Sequence, residues 1–281
     1  MPETNQYERS QEAQQREQQR LVQQQFGATA QAYARSAVHS QGPDLGWIAQ
    51  AAALTGKELV VDVATGTGFS AFALAPYAGE VMGIDITLPM LEAAQRLATE
   101  RQVTNVHFQQ GDALALPFSS SSVDLVACRY AAHHFAKITQ VVQEMVRVLK
   151  PGGKLIIVDS ISPEEPELDG FLNEIELLRD PSHIHNYRVS EWLTLLSSAG
   201  LAANVVRQWS IPLDVRSWTQ RMQTPPEDVE SIVQCCAQAS PLAQERFHLE
   251  PHEGFFSFLL PAALLLGVKS TSLSAESSGP S

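Results

Sequence analysis

A glycine-rich turn follows a short apolar run between residues 60 and 75, which read VVDVATGTGFSAFALA. Gly66, Gly68 and Ala71 satisfy the spacing G-x-G-x-x-G/A. In a strand–turn–helix unit, glycines at this spacing permit a sharp turn and let a ligand lie against backbone amides at the start of the helix. The turn therefore predicts a nucleotide-containing cofactor, and its spacing alone leaves a nicotinamide dinucleotide and S-adenosylmethionine both open.

Three aspartates stand at the ends of predicted strands, where they can reach the same ligand. Asp85, in GIDIT, is placed to bind the ribose hydroxyls of either cofactor. Asp112, in QGDALALPF, can accept a hydrogen bond from an adenine amino group. Asp62 precedes the turn, where a carboxylate suits a cationic amino acid moiety better than a diphosphate.

The charge pattern around the turn discriminates between the two cofactors. No Lys or Arg stands between Lys57 and Arg96, so a diphosphate gains little there beyond backbone amides. S-adenosylmethionine carries a positive sulfonium and a positive amino group, which an acidic segment attracts. The pattern favours S-adenosylmethionine, while the turn and Asp85 keep a nicotinamide-dependent oxidoreductase as the alternative.

Histidines supply candidates for proton transfer. His133 and His134 follow the fourth predicted strand, and His183 and His185 lie in a segment after the fifth, beside Tyr187 and Arg188. We expect His134 to act as a general base or to orient the acceptor, since a histidine can exchange a proton near neutral pH. The His-x-His pair has no third ligand spaced near it, so no metal site is expected.

The elements that must position these residues alternate along the chain. Between residues 58 and 159, short apolar runs alternate with helical patterns, which predicts parallel strands covered by helices on both faces. The fold class is therefore α/β, doubly wound and Rossmann-like. Residues 1–24 are rich in Gln and Glu and predict a polar tail or helix. Residues 25–281 form the predicted domain, with cap insertions near 160–190 and 214–250.

Composition limits the class of protein. A net charge of -12 and a pI near 5.1 disfavour binding to nucleic acid or to anionic membranes. The three cysteines form no disulfide or zinc pattern, and the polar N-terminus is not a signal peptide, so a cytoplasmic protein is expected. The apolar run from Gly254 to Val268 contains Pro261 and is too short to span a membrane, which predicts core strands and no stable membrane insertion.

Several segments taken together resemble a known family. VVDVATGTG, GIDIT, GDALALPF, SVDLVACRYAAHHF and RVLKPGG, in this order, are similar to segments of class I S-adenosylmethionine-dependent methyltransferases, in particular the ubiquinone and menaquinone biosynthesis branch. The similarity runs from about Phe26 to Leu201. It implies a seven-stranded, mostly parallel sheet whose last strand is antiparallel, and the segment after Phe255 can supply that strand.

The resemblance also implies roles for particular residues. Asp85 binds the ribose, Ile86 flanks adenine, and Asp112 with Ala113 holds the adenine edge. Arg129 faces the methionine end of the cofactor or the substrate, and Tyr33 closes over the cofactor. The loop residues that face the methionine moiety are Asp62, Ala64, Thr65, Gly66 and Gly68. Many family members have glycine where this chain has Ala64.

The expected reaction is methyl transfer to a small-molecule acceptor at carbon or oxygen. RYAAHHF follows the fourth strand in place of an N/D-P-P-Y/F motif, which argues against methylation of a nucleic acid base. Apolar positions in the cap, including Trp218, Met222 and Val229, weakly favour a quinone-like, aromatic or lipid acceptor. A non-catalytic binding protein on the same fold, acting through its Gln-rich arm, is a further alternative.

Overall fold

The computed structural model describes residues 2–36 and 40–271, with side chains from residue 12 onward. Met1 of the predicted tail, and residues 37–39 and 272–281 of the predicted domain, lie outside the described residues. The helices are α1 (Pro2–Ala34), α2 (Asp44–Ala52), α3 (Phe69–Leu74), α4 (Leu88–Glu100), α5 (Ile138–Val148), α6 (Pro166–Arg179), α7 (Val189–Ser198), α8 (Val215–Met222), α9 (Pro226–Ala237) and α10 (Pro241–Phe247). The strands are β1 (Leu59–Val63), β2 (Glu80–Asp85), β3 (Val106–Gln110), β4 (Val123–Arg129), β5 (Leu149–Ser160), β6 (Leu201–Asp214), β7 (Glu250–His252) and β8 (Phe255–Lys269).

The strands form one mostly parallel sheet in the order β3-β2-β1-β4-β5-β8-β6. Strands β1 to β5 pair in parallel, and β8 lies antiparallel between β5 and β6. The predicted α/β fold, and an antiparallel strand supplied by the segment after Phe255, are confirmed.

The predicted strand number was wrong, because the described sheet has eight strands. The additional strand, β7, pairs antiparallel with the start of β8. Glu253 and Gly254 connect the two strands with φ values of 48° and 79°, a left-handed backbone that closes a tight hairpin. The three residues of β7 include Pro251, so the segment has none of the alternation by which a strand is recognised.

Two apolar clusters cover opposite faces of the sheet, because successive strand residues point to opposite sides. Val61 and Val63 belong to the cluster that contains residues of α5 and α7. Val60 belongs to the cluster that contains residues of α2 and α3. The parallel strands are therefore buried on both sides.

A third apolar cluster forms a helical cap beside the outer half of β8. Its side chains come from α6, α8, α9 and α10, and they pack with Phe258 and Leu260. Trp218 of α8 stands edge-on to Phe258, with ring centroids 5.1 Å apart. This apolar contact positions α6 and α8 against the sheet.

The N-terminal helix α1 runs without a break across residue 24, where the composition predicts a change from tail to domain. Its polar residues therefore continue directly into the part of the helix that packs against α4 and α8. Within the described ranges, the structure contains no helix that is both long and apolar enough to cross a membrane.

Replacing Trp192 by alanine is expected to lower the free energy of unfolding by about 3–5 kcal/mol. Trp192 is fully buried in the core cluster beside α5, and it stands edge-on to Tyr187. Chemical denaturation measures the loss. Leu177→Ala is the control, because Leu177 is 55% exposed, and its change is expected to stay within about 0.5 kcal/mol. Equal losses in both variants would contradict the assigned core.

Candidate functional site

The carboxyl ends of β1 to β4 meet at one edge of the sheet and open onto a cavity of about 1140 Å³, counting space open to solvent. We call this the first cavity. Clefts at this edge are where ligands bind in open α/β sheets. Most of the predicted site residues line it, namely Tyr33, Ala64, Thr65, Gly66, Asp85, Ile86, Asp112, Ala113, Arg129 and His134.

The loop after β1 turns through a left-handed backbone at three positions. Gly66 and Gly68 have φ values of 54° and 87°, and Ala64 adopts 54° although it carries a Cβ. A Cβ at Gly68 would lie 2.9 Å from Cζ of Phe108. Gly68 does not line the first cavity; its missing side chain instead leaves room for Phe108 beneath the loop.

Asp85 joins the loop to the end of β2. Its Oδ2 accepts a hydrogen bond from the Gly66 amide at 2.8 Å, and its Oδ1 accepts one from the Thr87 amide at 2.8 Å. Burial raises the pKa of Asp85, and these amides partly offset the effect. Each carboxylate oxygen has a second lone pair, so Asp85 retains capacity for ligand hydroxyls.

Asp62 lies beneath the loop and does not line the first cavity. Its side chain is buried, and Oδ2 accepts a hydrogen bond from the Thr65 hydroxyl at 2.6 Å. Burial raises the pKa of Asp62 to about 7. The geometry thus gives Asp62 a contact that supports the loop.

This raised pKa predicts a pH dependence of stability. Because the pKa of Asp62 rises from 3.8 to about 7 on folding, the folded state binds the proton more tightly, and the stability from protonated Asp62 is lost as pH rises between these values. Asp62→Asn removes the titration, so the variant should gain stability relative to the wild type by more than about 1 kcal/mol between pH 5 and pH 8.

Urea unfolding of both proteins at the two pH values measures the difference. Glu92→Gln is the matched control, since Glu92 is an exposed carboxylate on α4. A difference between Asp62→Asn and wild type that stays constant with pH would show that Asp62 is ionised in the folded protein.

Glutamines of α1 form one wall of the first cavity, which sequence reasoning missed. Gln19 donates from Nε2 to Oδ2 of Asp112 at 2.6 Å, and Gln23 donates to the Ile86 carbonyl at 3.0 Å. Gln18 is buried and donates to the carbonyls of His134 and Ser182 at 3.0 and 2.6 Å. Helical spacing in the sequence could have revealed this wall, because its residues recur every three or four positions. They are Gln15, Gln18, Gln19, Val22 and Phe26.

The lining of the first cavity is not free of basic side chains. Arg129 and Lys137 line it, both from the segment that ends β4 and leads to α5. The guanidinium of Arg129 is paired with the carboxylate of Asp44 at the start of α2, and both side chains are buried. The absence of basic residues predicted from the sequence therefore holds for the glycine loop and not for the whole cavity.

The two adjacent histidines have different environments. Nδ1 of His133 lies 2.6 Å from Oδ1 of Asp159, which places the proton on Nδ1 and leaves Nε2 as the acceptor in the neutral ring. Burial lowers the pKa of His133, but the Asp159 carboxylate outweighs it and the net shift is upward. Burial and the neighbouring His133 lower the pKa of His134 to about 4, and its Nδ1 donates to the Ser182 carbonyl at 3.0 Å.

A second cavity, of about 610 Å³ with its solvent-open space, adjoins the first. Phe26, Tyr33, Tyr130 and His134 line both, so these four side chains form the boundary. The polar residues of the second cavity include His133, Glu176, Arg179 and Arg221, and its apolar residues are Ile211, Leu213, Trp218, Met222 and Leu260. Of the predicted cap positions, Trp218 and Met222 line it and Val229 does not.

The remaining polar candidates lie outside both cavities. Nε2 of His183 is 3.0 Å from Oδ1 of Asn173, and burial lowers the pKa of His183 to about 2. His185 and Arg188 both contact the carboxylate of Glu191 in the first turn of α7. Within the part of the chain that the structure describes, no three His, Cys, Asp or Glu side chains are grouped to hold a metal ion.

Comparison with known proteins agrees with this geometry. The model of the methyltransferase domain family matches residues 61–157. The chain is 38% identical over 246 residues to the uncharacterized methyltransferase YcgJ of Bacillus subtilis, covering 87% of this chain and 97% of that one. The crystal structure of YcgJ matches with a TM-score of 0.78, over 81% of this chain and 98% of that chain. The protein belongs to the class I S-adenosylmethionine-dependent methyltransferases.

A further relative carries the name of an acceptor. The demethylmenaquinone methyltransferase of Deinococcus radiodurans is 39% identical over 148 residues, which cover 50% of this chain and 61% of that one. The predictions of the family, of the enzyme class and of S-adenosylmethionine as cofactor are confirmed. A nicotinamide nucleotide is therefore no longer needed to explain the glycine turn.

Proposed function

We propose that the first cavity holds S-adenosylmethionine and that the second holds a small-molecule methyl acceptor. The observation that carries the proposal is the shared boundary: Phe26, Tyr33, Tyr130 and His134 line both cavities. Two reactants on either side of one boundary are held close together, and such positioning supplies a large part of the rate acceleration in a transfer reaction.

The residues of the first cavity fit the cofactor. We assign Asp85 to the ribose hydroxyls, Asp112 and Ala113 to the adenine edge, and Ile86 to the adenine face. Ala64, Thr65 and Gly66 face the methionine moiety, supported from below by Asp62 and Gly68. Arg129 and Tyr33 close the first cavity beside the methionine moiety. When bound, S-adenosylmethionine supplies a methyl group already activated by a positive sulfonium.

The chain's own contribution is to exclude water and to accept a proton. Gln18 and Gln19 of α1 donate hydrogen bonds to the Ser182 carbonyl and the Asp112 carboxylate, and these bonds hold α1 as one wall of the first cavity. We assign His133 as the general base, because Asp159 holds its Nδ1–H and leaves Nε2 to accept a proton from the acceptor. His134, neutral and on both cavities, orients the acceptor.

The acceptor that fits best is an aromatic or quinol-like molecule that loses a proton from oxygen or from an activated ring carbon. The apolar and aromatic wall of the second cavity, including Trp218 and Met222, supports a ring-sized apolar body. The name of one relative, demethylmenaquinone methyltransferase, specifies a quinone-type acceptor for that protein. The net charge of -12 disfavours nucleic acid.

Incubation with S-adenosylmethionine that carries an isotopically labelled methyl group tests the proposal. The acceptors are a panel of phenols, quinols and aromatic acids, with transfer RNA, DNA and a protein mixture in parallel. The expected result is label in a small-molecule product. Label confined to nucleic acid or protein would contradict the proposal. The wild type inactivated by heat controls for spontaneous transfer.

A further inference from the structure

The second cavity contains two guanidinium groups in different situations. That of Arg179 is engaged: its Nε donates to the Trp218 carbonyl at 3.3 Å, and its Nη1 lies 3.4 Å from Oε2 of Glu176. Its guanidinium carbon also lies 4.7 Å above the Trp218 ring. Arg179 therefore has partners in the protein itself.

Arg221, in the last turn of α8, has no such partners. Its Nε is buried and has no hydrogen-bond partner, and no ion pair joins it to another described residue. Burial and the nearby charge of Arg179 lower its pKa. Arg221 is half-buried and its guanidinium has no counter-ion in direct contact, so an anion that entered the second cavity would be favoured at this position.

The charges that face the second cavity have a positive excess. Among its described lining residues Glu176 is the sole carboxylate; Arg179 already contacts it, and burial raises its pKa. His133 lies on the same lining, where the contacting carboxylate of Asp159 compensates any charge on its ring. This excess is local, since the chain as a whole carries a net charge of -12.

We propose that the second cavity recognises an acceptor with an apolar, ring-sized body and an anionic group, a carboxylate, sulfonate or phosphate, that pairs with Arg221. The proposal rests on the assignment of this cavity to the acceptor. The apolar body packs against Leu213, Met222 and Leu260, and the planar guanidinium of Arg221 offers two parallel N–H groups to the anion.

Two fluorescent probes that differ by one anionic group test the inference. They are 8-anilinonaphthalene-1-sulfonate and N-phenyl-1-naphthylamine, which has the same rings without the sulfonate. Each is titrated into the wild type, Arg221→Gln and Arg246→Gln with saturating S-adenosylhomocysteine. Arg246 is an exposed arginine of the same cap, outside both cavities. Thermal unfolding verifies that all three proteins are folded, because the sulfonate probe also binds partly unfolded states.

The expected result is a sulfonate probe affinity at least about 10-fold lower in Arg221→Gln, the change typical of losing one charged hydrogen-bond partner. The affinity for the neutral probe, and both affinities in Arg246→Gln, should change less than about 2-fold. Equal changes for the two probes, or no preference of the wild type for the sulfonate, would overturn the inference. Calorimetric binding of S-adenosylhomocysteine tests the proposed cofactor site separately, because Arg221 does not line the first cavity.

Discussion

Asp85→Ala is expected to weaken the binding of S-adenosylhomocysteine by about 10- to 100-fold, as losing hydrogen bonds to a charged group costs about 1.5–3 kcal/mol. The carboxylate of Asp85 faces the first cavity and also holds the amides of Gly66 and Thr87. Its removal therefore takes away the proposed partner of the ribose hydroxyls and releases the loop that faces the methionine moiety.

Isothermal titration calorimetry measures this affinity, and thermal unfolding measures the fold separately. Asp85→Asn distinguishes the two roles, because an amide oxygen can still accept one backbone hydrogen bond while the charge is lost. The matched control is Glu92→Ala, an exposed carboxylate seven residues further along the chain. Unchanged affinity in Asp85→Ala, with only a lower melting temperature, would reduce Asp85 to a structural role.

His133→Ala is expected to lower the turnover number by about 100- to 10,000-fold, the range that a positioned general base contributes. Cofactor affinity should stay unchanged, since His133 lines the second cavity and not the first. Asp159→Asn should lower turnover by a smaller factor, because it removes the charge that orients the imidazole without removing the ring. His134→Ala should also lower turnover, and its effect on cofactor affinity should be smaller than that of Asp85→Ala, although His134 lines both cavities.

Turnover is measured as labelled methyl transfer to the best acceptor of the panel, as a function of pH. Only neutral His133 accepts a proton, so the wild-type rate should rise with pH through a pKa above 6.5, and His133→Ala should lose this rise. His185→Ala is the matched control, because His185 pairs with Glu191 outside both cavities. A pH profile that is the same in wild type and His133→Ala would show that a group other than His133 acts as the general base.

Local sequence signals predicted the α/β fold and S-adenosylmethionine as cofactor, and most of the candidate site residues line the first cavity. Gly66, Gly68, Asp85 and Asp112 stand at strand ends, and strand ends converge whenever the sheet is parallel, so their proximity follows from fold class alone. The strands that precede these residues are continuous apolar runs, and their length and hydrophobic periodicity identify them in the sequence. These features depend on neighbours within a few residues.

Contacts between distant segments could not be predicted in this way. Gln18 contacts residues more than 100 positions away, and its polar side chain suggests a solvated helix until α1 is packed against the segments that carry His134 and Ser182. Arg129 and Asp44 are 85 positions apart. His133 and His134 are adjacent in the sequence, and contacts with distant residues separate their environments: His133 contacts Asp159 on β5, and His134 contacts Ser182.

The most direct test of the central claim is a calorimetric titration of the unmodified protein with S-adenosylhomocysteine and, separately, with NAD. The claim is that the edge of the sheet bearing Asp85 and Asp112 holds an adenosyl sulfonium donor. It predicts saturable one-site binding of S-adenosylhomocysteine, weakened about 10- to 100-fold by Asp85→Ala, and no saturable binding of NAD. Saturable binding of NAD together with no heat from S-adenosylhomocysteine would contradict it.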